Sequence, residues 1–543
     1  MPCQQIVAKI EQGLDFLTSS SRNVPERHHS LQALFDHSWV LLTASEQNAL
    51  AKLTIFRGGF APAEAEVVAG ATWPLLLDLV DKSLVETQGD NRFDLHSLIQ
   101  QYAATKLEAA EEKDAAQQAH FETFCTLAQK LNSLNIGPQA ITSSRRAEVE
   151  HNNFRAALSW GLAHQLSEAV LELLHHLFEF WLPAGHWSEG ERWTAQAIAQ
   201  TKDGDSVNLC LALCQLGVFI ALQGRFPEAD PHTQRAYRMA RRLEDPWALI
   251  FTLQVQGQAL PDKKAALAAY EEAIIICQER SGEPQFEARL GRLLRLQGDR
   301  LIHFGMLIEA KETYEESLAC FRKWGNVYEV AYPLGNLGRI ALYAGDLQKA
   351  HTLISESVAI ARKAGKRVAI GDWIFRLGQI QYYLGELEAA EANFQETLEL
   401  YENIGNQFGP PGVLSNLALV ALERENEMAL GLIKESFSRY RTLKEAMDKL
   451  DDSANFLEFS DTVESLLHAG LVAHGLKDWD RAIWLFRFVE THAPGYMAIQ
   501  PLQEKVAVAE ADIAANVSPA TFAEAITKGE HLTVSELLAL WGE

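Results

Sequence analysis

Cysteine is scarce. Six residues in 543, at positions 3, 125, 210, 214, 277 and 320, are too few for a disulfide framework and point to a reduced, cytoplasmic setting. Positive charge is also short: the net charge is −24, which repels phosphate and argues against nucleic acid as a direct partner. The most apolar run, Leu209–Leu222, is too short to span a bilayer, and no signal peptide precedes it, so no membrane role is expected. Nowhere does a glycine-rich loop end in Lys and Ser/Thr, so the chain should not hydrolyse ATP alone. His151, His164, His175 and His176 lack the Cys or carboxylate spacing of a metal or nucleophile site. Cys210 and Cys214 share a helix face without third and fourth ligands and read as small core residues. The expectation is therefore no catalytic residues, no metal, and no enzyme on this chain.

What is present is a repeat. Gly298, Gly338 and Gly378 recur every forty residues, each twelve before an alanine (Ala310, Ala350, Ala390), with Gly305, Gly345 and Gly385 between them. Each unit reads as a helix, a tight turn and a second helix, with small residues where the two helices cross. Less perfect copies extend the alanine column to 229, 265, 310, 350, 390, 429 and 482. One such hairpin cannot bury its apolar face, whereas a row of them can. Over roughly residues 205–490 the pattern resembles the tetratricopeptide repeat, whose period is nearer about 34. The longer period resembles the extended-helix variety of bacterial regulators. The expected fold is mainly α: a winged-helix domain followed by an α-solenoid superhelix of tetratricopeptide-like hairpins.

The winged-helix expectation comes from residues 31–110. Helices are predicted over Leu31–Leu41, Ser45–Phe56, Pro62–Val68 and Trp73–Lys82, then strands Leu84–Thr87 and Arg92–Leu95 joined by Gln88-Gly89-Asp90-Asn91, then a helix over His96–Leu107. The segments Phe35-Asp36-His37-Ser38-Trp39, Phe56-Arg57-Gly58-Gly59-Phe60, Leu79-Val80-Asp81-Lys82-Ser83-Leu84 and Leu95-His96-Ser97-Leu98-Ile99 resemble the winged helix of the STAND (NB-ARC-type) signal-transduction ATPases. That resemblance implies that residues 1–30, with an amphipathic helix over 1–17, are the tail of a nucleotide-binding domain that lies upstream. It implies no cofactor on this chain, with ADP or ATP met only through that domain. It also places His96 where the family's Met-His-Asp histidine contacts the nucleotide phosphate. Here Ser97 replaces the Asp, and the alternative is a histidine that simply caps a helix. Between Leu31 and Ala110 five Lys/Arg face ten Asp/Glu, a net of −5, which disfavours direct DNA contact.

Residues 111–204 read as a helical linker and a degenerate first hairpin, with Gly185 at its turn, Gly190 in place of the alanine and Trp160, Trp181, Trp187 and Trp193 packing it. The segment Glu148-Val149-Glu150-His151-Asn152-Asn153-Phe154 resembles the joint between winged helix and repeats in such regulators. A charged insertion lies between Arg439 and Phe456, and residues 491–543 read as capping helices. The first helix of each hairpin is expected to line a groove. Its candidate ligand residues are Arg289, Arg292, Arg295, Asp299, Tyr332, Arg339, Asp372, Phe375, Gln379 and Tyr382. Arg289, Arg292 and Arg295 recur every third residue and form a basic cluster in an acidic chain. The cluster either receives an acidic peptide or protein segment or is a face neutralised by nearby Glu, and charge reversal at Arg292 and Arg295 is expected to leave folding nearly unchanged. Two function classes stay open: the sensor arm of a signalling ATPase, or the same arm of a transcriptional activator whose DNA-binding domain lies elsewhere in the polypeptide.

Overall fold

The structure is a computed structural model and describes residues 31–540 apart from positions 90, 203, 261, 426, 448–459 and 494–498. The helix expected over residues 1–17 and the charged insertion from residue 448 on lie outside the described residues. The chain divides into two compact units, residues 1–131 with 146–173, and residues 132–145 with 174–543.

The first unit carries α1 (Leu31–Val40), α2 (Ala44–Leu53), α3 (Pro62–Ala69), α4 (Trp73–Asp81), a hairpin of β1 (Glu86–Gln88) and β2 (Arg92–Asp94), α5 (Ser97–Ala109), α6 (Lys113–Leu134) as far as Leu131, α7 (Ala140–Val149) from Arg146 on, and α8 (His151–Ala163). Thr43 and Glu46 form a reciprocal capping box that starts α2, and Pro62 sits in the first turn of α3, where its missing N–H costs nothing. The strands pair antiparallel with Thr87 opposite Phe93, and Phe60 bridges to Phe93 as an isolated extra rung. Gly59 makes that rung possible: its φ is +81°, and a Cβ there would stand 2.7 Å from the Phe93 carbonyl. Two segments far apart in sequence meet at this point. Asn153 accepts the Arg57 N–H at 2.7 Å and donates to the Gly59 carbonyl at 3.0 Å, and Arg92 ties the Gly58 and Gly59 carbonyls to the buried Glu150.

The second unit is built of helical hairpins. Along the chain they use α9 (Ser167–Ala184), α10 (Trp187–Gln200), α11 (Val207–Leu222), α12 (Phe226–Leu243), α13 (Pro246–Ala259), α14 (Lys263–Glu279), α15 (Pro284–His303), α16 (Leu307–Lys323), α17 (Val327–Tyr343) and α18 (Leu347–Ala364). They continue with α19 (Arg367–Leu384), α20 (Leu387–Ile404), α21 (Gly409–Glu423), α22 (Met428–Met447), α23 (Ser460–Gly475) and α24 (Trp479–His492), followed by α25 (Gln500–Asn516), α26 (Pro519–His531) and α27 (Val534–Ala539). The described residues are thus almost wholly helical, and the repeats form the expected α-solenoid.

The glycine column works by close approach. A Cβ at Gly298, Gly338 or Gly378 would lie 2.7 Å from Tyr314, Ile354 or Phe394, sixteen residues on in the partner helix, and the column alanine lies four residues before each contact. Ala229, Ala310, Ala350, Ala390, Ala429 and Ala482 are accordingly buried. Ala265 is a correction: Gly257 meets Tyr270, so the column residue is Ala266, fully buried, while the Ala265 N–H is spent on the Asp262 cap. A second forty-residue column escaped the sequence reading. Ser317 and Ser357 each donate a hydroxyl across the hairpin, to the carbonyls of Gly291 and Ala331. In the degenerate first hairpin Trp181 and Trp187 are buried, and Gly190 leaves room for the Phe219 ring of the next hairpin. Cys210 and Cys214 are free, buried thiols that point at backbone carbonyls.

Candidate functional site

The first helices of five hairpins, α9, α15, α17, α19 and α23, share one face that carries a ladder of charged side chains. It starts at Glu179 on α9. Its Oε1 accepts from Arg289 at 2.8 Å, and its Oε2 forms an ion pair with Arg292. Burial would raise the Glu179 carboxyl, but Arg292 and Arg289 hold it down to about 2. Arg292 reaches on to Glu329 at 2.9 Å, while Arg289 lies over the Trp247 and Phe251 rings and donates to Gln254.

The next rung centres on Asp299, which accepts from Arg295 at 3.0 Å, Tyr314 at 2.6 Å and Asn336 at 2.9 Å, with Arg339 at 3.9 Å. Arg295 stacks on Tyr332, its guanidinium carbon 4.8 Å from the ring centre. Asp372 accepts from Tyr401 at 2.8 Å. Further along, Arg376 donates to Gln379, Gln379 donates to Glu464 at 3.1 Å, and Tyr382 donates to Glu423.

Most residues chosen from the sequence therefore do share this face, but they differ in exposure. Arg292, Arg295, Asp299, Tyr332 and Arg339 are half-buried, whereas Arg289, Gln379 and Tyr382 are buried. Phe375 is buried against Phe394 of its own hairpin. The alternative of neutralisation by nearby acid describes Arg289 and Arg292, because Glu179 and Glu329 already take their charge. Charge reversal at Arg292 would set a glutamate against two carboxylates, so the expectation of unchanged folding does not hold there.

Three participants were absent from the sequence reading. Glu179 lies 110 positions from Arg289, outside any register. Glu464 lies 85 from Gln379. Lys366 precedes α19 and is 96% buried, since only 4% of it is exposed, with its ammonium 2.9 Å from the centre of the Tyr328 ring. His96, on the first unit, is exposed and caps α5 by accepting the Leu98 N–H at its Nδ1.

Residues 329–403 match the tetratricopeptide repeat family. Curated relatives named as HTH-type transcriptional regulators of Mycobacterium bovis and Mycobacterium tuberculosis are 29% identical over 293 residues, covering 48% of this chain and 32% of theirs. The chain thus spans about a third of the length of the curated relatives it matches. Among solved structures, a Signal Transduction ATPase with Numerous Domains (STAND) protein with a tetratricopeptide repeat sensor from Pyrococcus horikoshii is 14% identical. Its TM-score is 0.41, and the match covers 83% of this chain and 72% of that one. Among the described residues no helix is long and apolar enough to cross a membrane.

Proposed function

We propose that the chain is a non-catalytic regulatory and sensor arm of a STAND-type signalling ATPase, whose repeat unit binds a protein or peptide ligand along the face of the first helices. The observation that carries this reading is the charged ladder from Glu179 to Glu464. A solenoid that only had to stand up would fill that face with apolar side chains, because buried ion pairs add little net stability. Arg295, Asp299, Tyr332 and Arg339 keep part of their surface open, and guanidinium groups beside tyrosine rings suit an acidic, extended segment.

In this reading the first unit is a winged helix that packs on the arm's own nucleotide-binding domain, and it makes no direct contact with nucleic acid. The order α1 to α4, β hairpin, α5 supports it, as does the acidic balance of residues 31–110. His96, exposed at the start of α5, is the candidate nucleotide-state contact, and ADP or ATP reaches the chain only through that other domain. In a polypeptide carrying the nucleotide-binding domain, His96→Ala should speed ADP release and raise basal activity. Unchanged release would remove the nucleotide-state role, and ATP hydrolysis by the present chain alone would overturn the non-catalytic reading. The second reading, the same arm in a transcriptional activator, is favoured by the names of the mycobacterial relatives. It predicts DNA binding by the longer polypeptide and none by residues 31–543.

A further inference from the structure

Positions 326, 366 and 406 recur forty residues apart in the loops that lead into first helices: the first two immediately precede α17 and α19, and the third lies three residues before α21. Asn326 accepts the Glu329 N–H and so caps α17, and Asn406 accepts the Phe408 and Gly409 N–H groups at the start of α21. Between them stands Lys366, and α19 receives no side-chain cap. A lysine at this place gives up a hydrogen bond and sets a cation against the positive end of a helix. A local choice that opposes the fold marks a place where something other than folding is served.

The surroundings do not compensate it. The Lys366 side chain has no hydrogen bond and no ion pair with any described residue; its ammonium rests on the Tyr328 ring. The charges facing it are Arg292 and Arg295 on α15 and Glu179 on α9, and Glu179 is already held by Arg289 and Arg292. From α17 come Glu329, engaged by Arg292, and Tyr332, under Arg295; Asp372 on α19 is engaged by Tyr401. The buried Tyr328 hydroxyl and the Arg295 Nε are likewise donors without acceptors among the described residues. The segment 132–145 lies across this spot, with Ala140 and Ile141 packed on Tyr328 and Ala364. Asn326 donates to the Asn135 and Ile136 carbonyls, and Arg145 donates to the Lys363 carbonyl. That segment contains no Asp or Glu, so it brings no counter-ion.

We infer that Lys366, Tyr328 and Arg295 form an anion-recognition subsite that receives one carboxylate of an acidic peptide. The inference rests on the peptide-binding reading above and adds to it a residue and a proton. Burial and the two guanidinium groups push the Lys366 ammonium well below the ordinary lysine range, while Glu179 opposes them. An arriving carboxylate favours the charged form, so binding strengthens the hold of Lys366 on its proton.

The test is isothermal titration of the whole chain near neutral pH, with hexaglutamate and with inorganic phosphate as probes, in buffers of different ionisation enthalpy. Hexaglutamate should bind with net proton uptake, and Lys366→Met should abolish the uptake and weaken binding about tenfold or more. Lys366→Arg should keep binding without the uptake, because arginine stays charged. Binding of phosphate alone, lost in Lys366→Met, would keep the subsite for a free anion and overturn the peptide as its ligand. Hexaglutamate binding equally to wild type and Lys366→Met, or without proton uptake, would overturn the subsite and leave the groove reading standing. Binding of neither probe overturns both.

Discussion

Glu179→Gln removes one negative charge and leaves the shape of the side chain nearly intact, so its effect isolates the ion pairs with Arg289 and Arg292. The wild-type side chain is 12% exposed, which leaves water little part in screening it. Its carboxyl lies at about 2 against an ordinary 4.5. That difference corresponds to roughly 3 kcal/mol of stability through proton linkage. Breaking a buried pair by deleting one partner typically costs about 3–5 kcal/mol, so two routes agree in order of magnitude. The sign follows from the direction of the shift: a carboxylate whose folded pKa is depressed stabilises the protein above its unfolded pKa and loses that contribution as pH falls through the folded one. Urea unfolding followed by circular dichroism near pH 7 should therefore show the variant less stable by about 3 kcal/mol. The difference should narrow below the unfolded carboxylate range, to less than half by about pH 3. As a control, Glu435→Gln breaks an exposed pair with Arg439 and should change stability by less than about 0.5 kcal/mol. A Glu179→Gln variant that matches this control, or differs from wild type equally at both pH values, would refute the assignment of Glu179 as the anchor of the ladder.

Ala350→Leu forces a larger side chain into a fully buried helix crossing and should cost about 1–3 kcal/mol, read as a lower melting temperature. Asn153→Ala leaves the Arg57 N–H and the Gly59 carbonyl without their partner; a loss of about 1–3 kcal/mol in urea unfolding is expected, and a neutral result would remove Asn153 as the link between those segments. Lys366→Met should raise stability by about 1 kcal/mol or more, because it replaces a buried amine that has no counter-ion or hydrogen-bonding partner with an apolar side chain. A lysine with a depressed folded pKa destabilises below its unfolded pKa, so this gain should shrink as pH climbs toward the ordinary lysine value of 10.5. Arg292→Glu should destabilise by more than about 3 kcal/mol, since it faces Glu179 and Glu329; a melt like that of wild type would contradict the bridge.

The parts of this fold that were legible from sequence are those written in a period. Gly298, Gly338 and Gly378 announce helix crossings because a close approach admits no larger residue, and the same constraint fixes the alanines four residues before each contact. The register slipped at Ala265 because the turn there is three residues shorter than its neighbours, so the interval of twelve no longer applied, although the packing that defines the column did. The site was legible only in its local half. Three arginines at every third position reveal a common face of α15, but nothing in their spacing says that Glu179 arrives from a helix 110 residues earlier to neutralise two of them. That pairing depends on how one hairpin stacks against another, which a pattern within single hairpins does not encode. Lys366 is the intermediate case. Nothing in its immediate neighbourhood marks it, yet beside Asn326 and Asn406, forty residues to either side, a capping side chain is replaced by a cation, and the replacement can be seen only once the forty-residue interval is followed through the loops as well as through the glycines. A repeat protein thus exposes function where one copy departs from the others: the shared residues build the solenoid, and an unshared one that costs stability has to be accounted for by what the face binds.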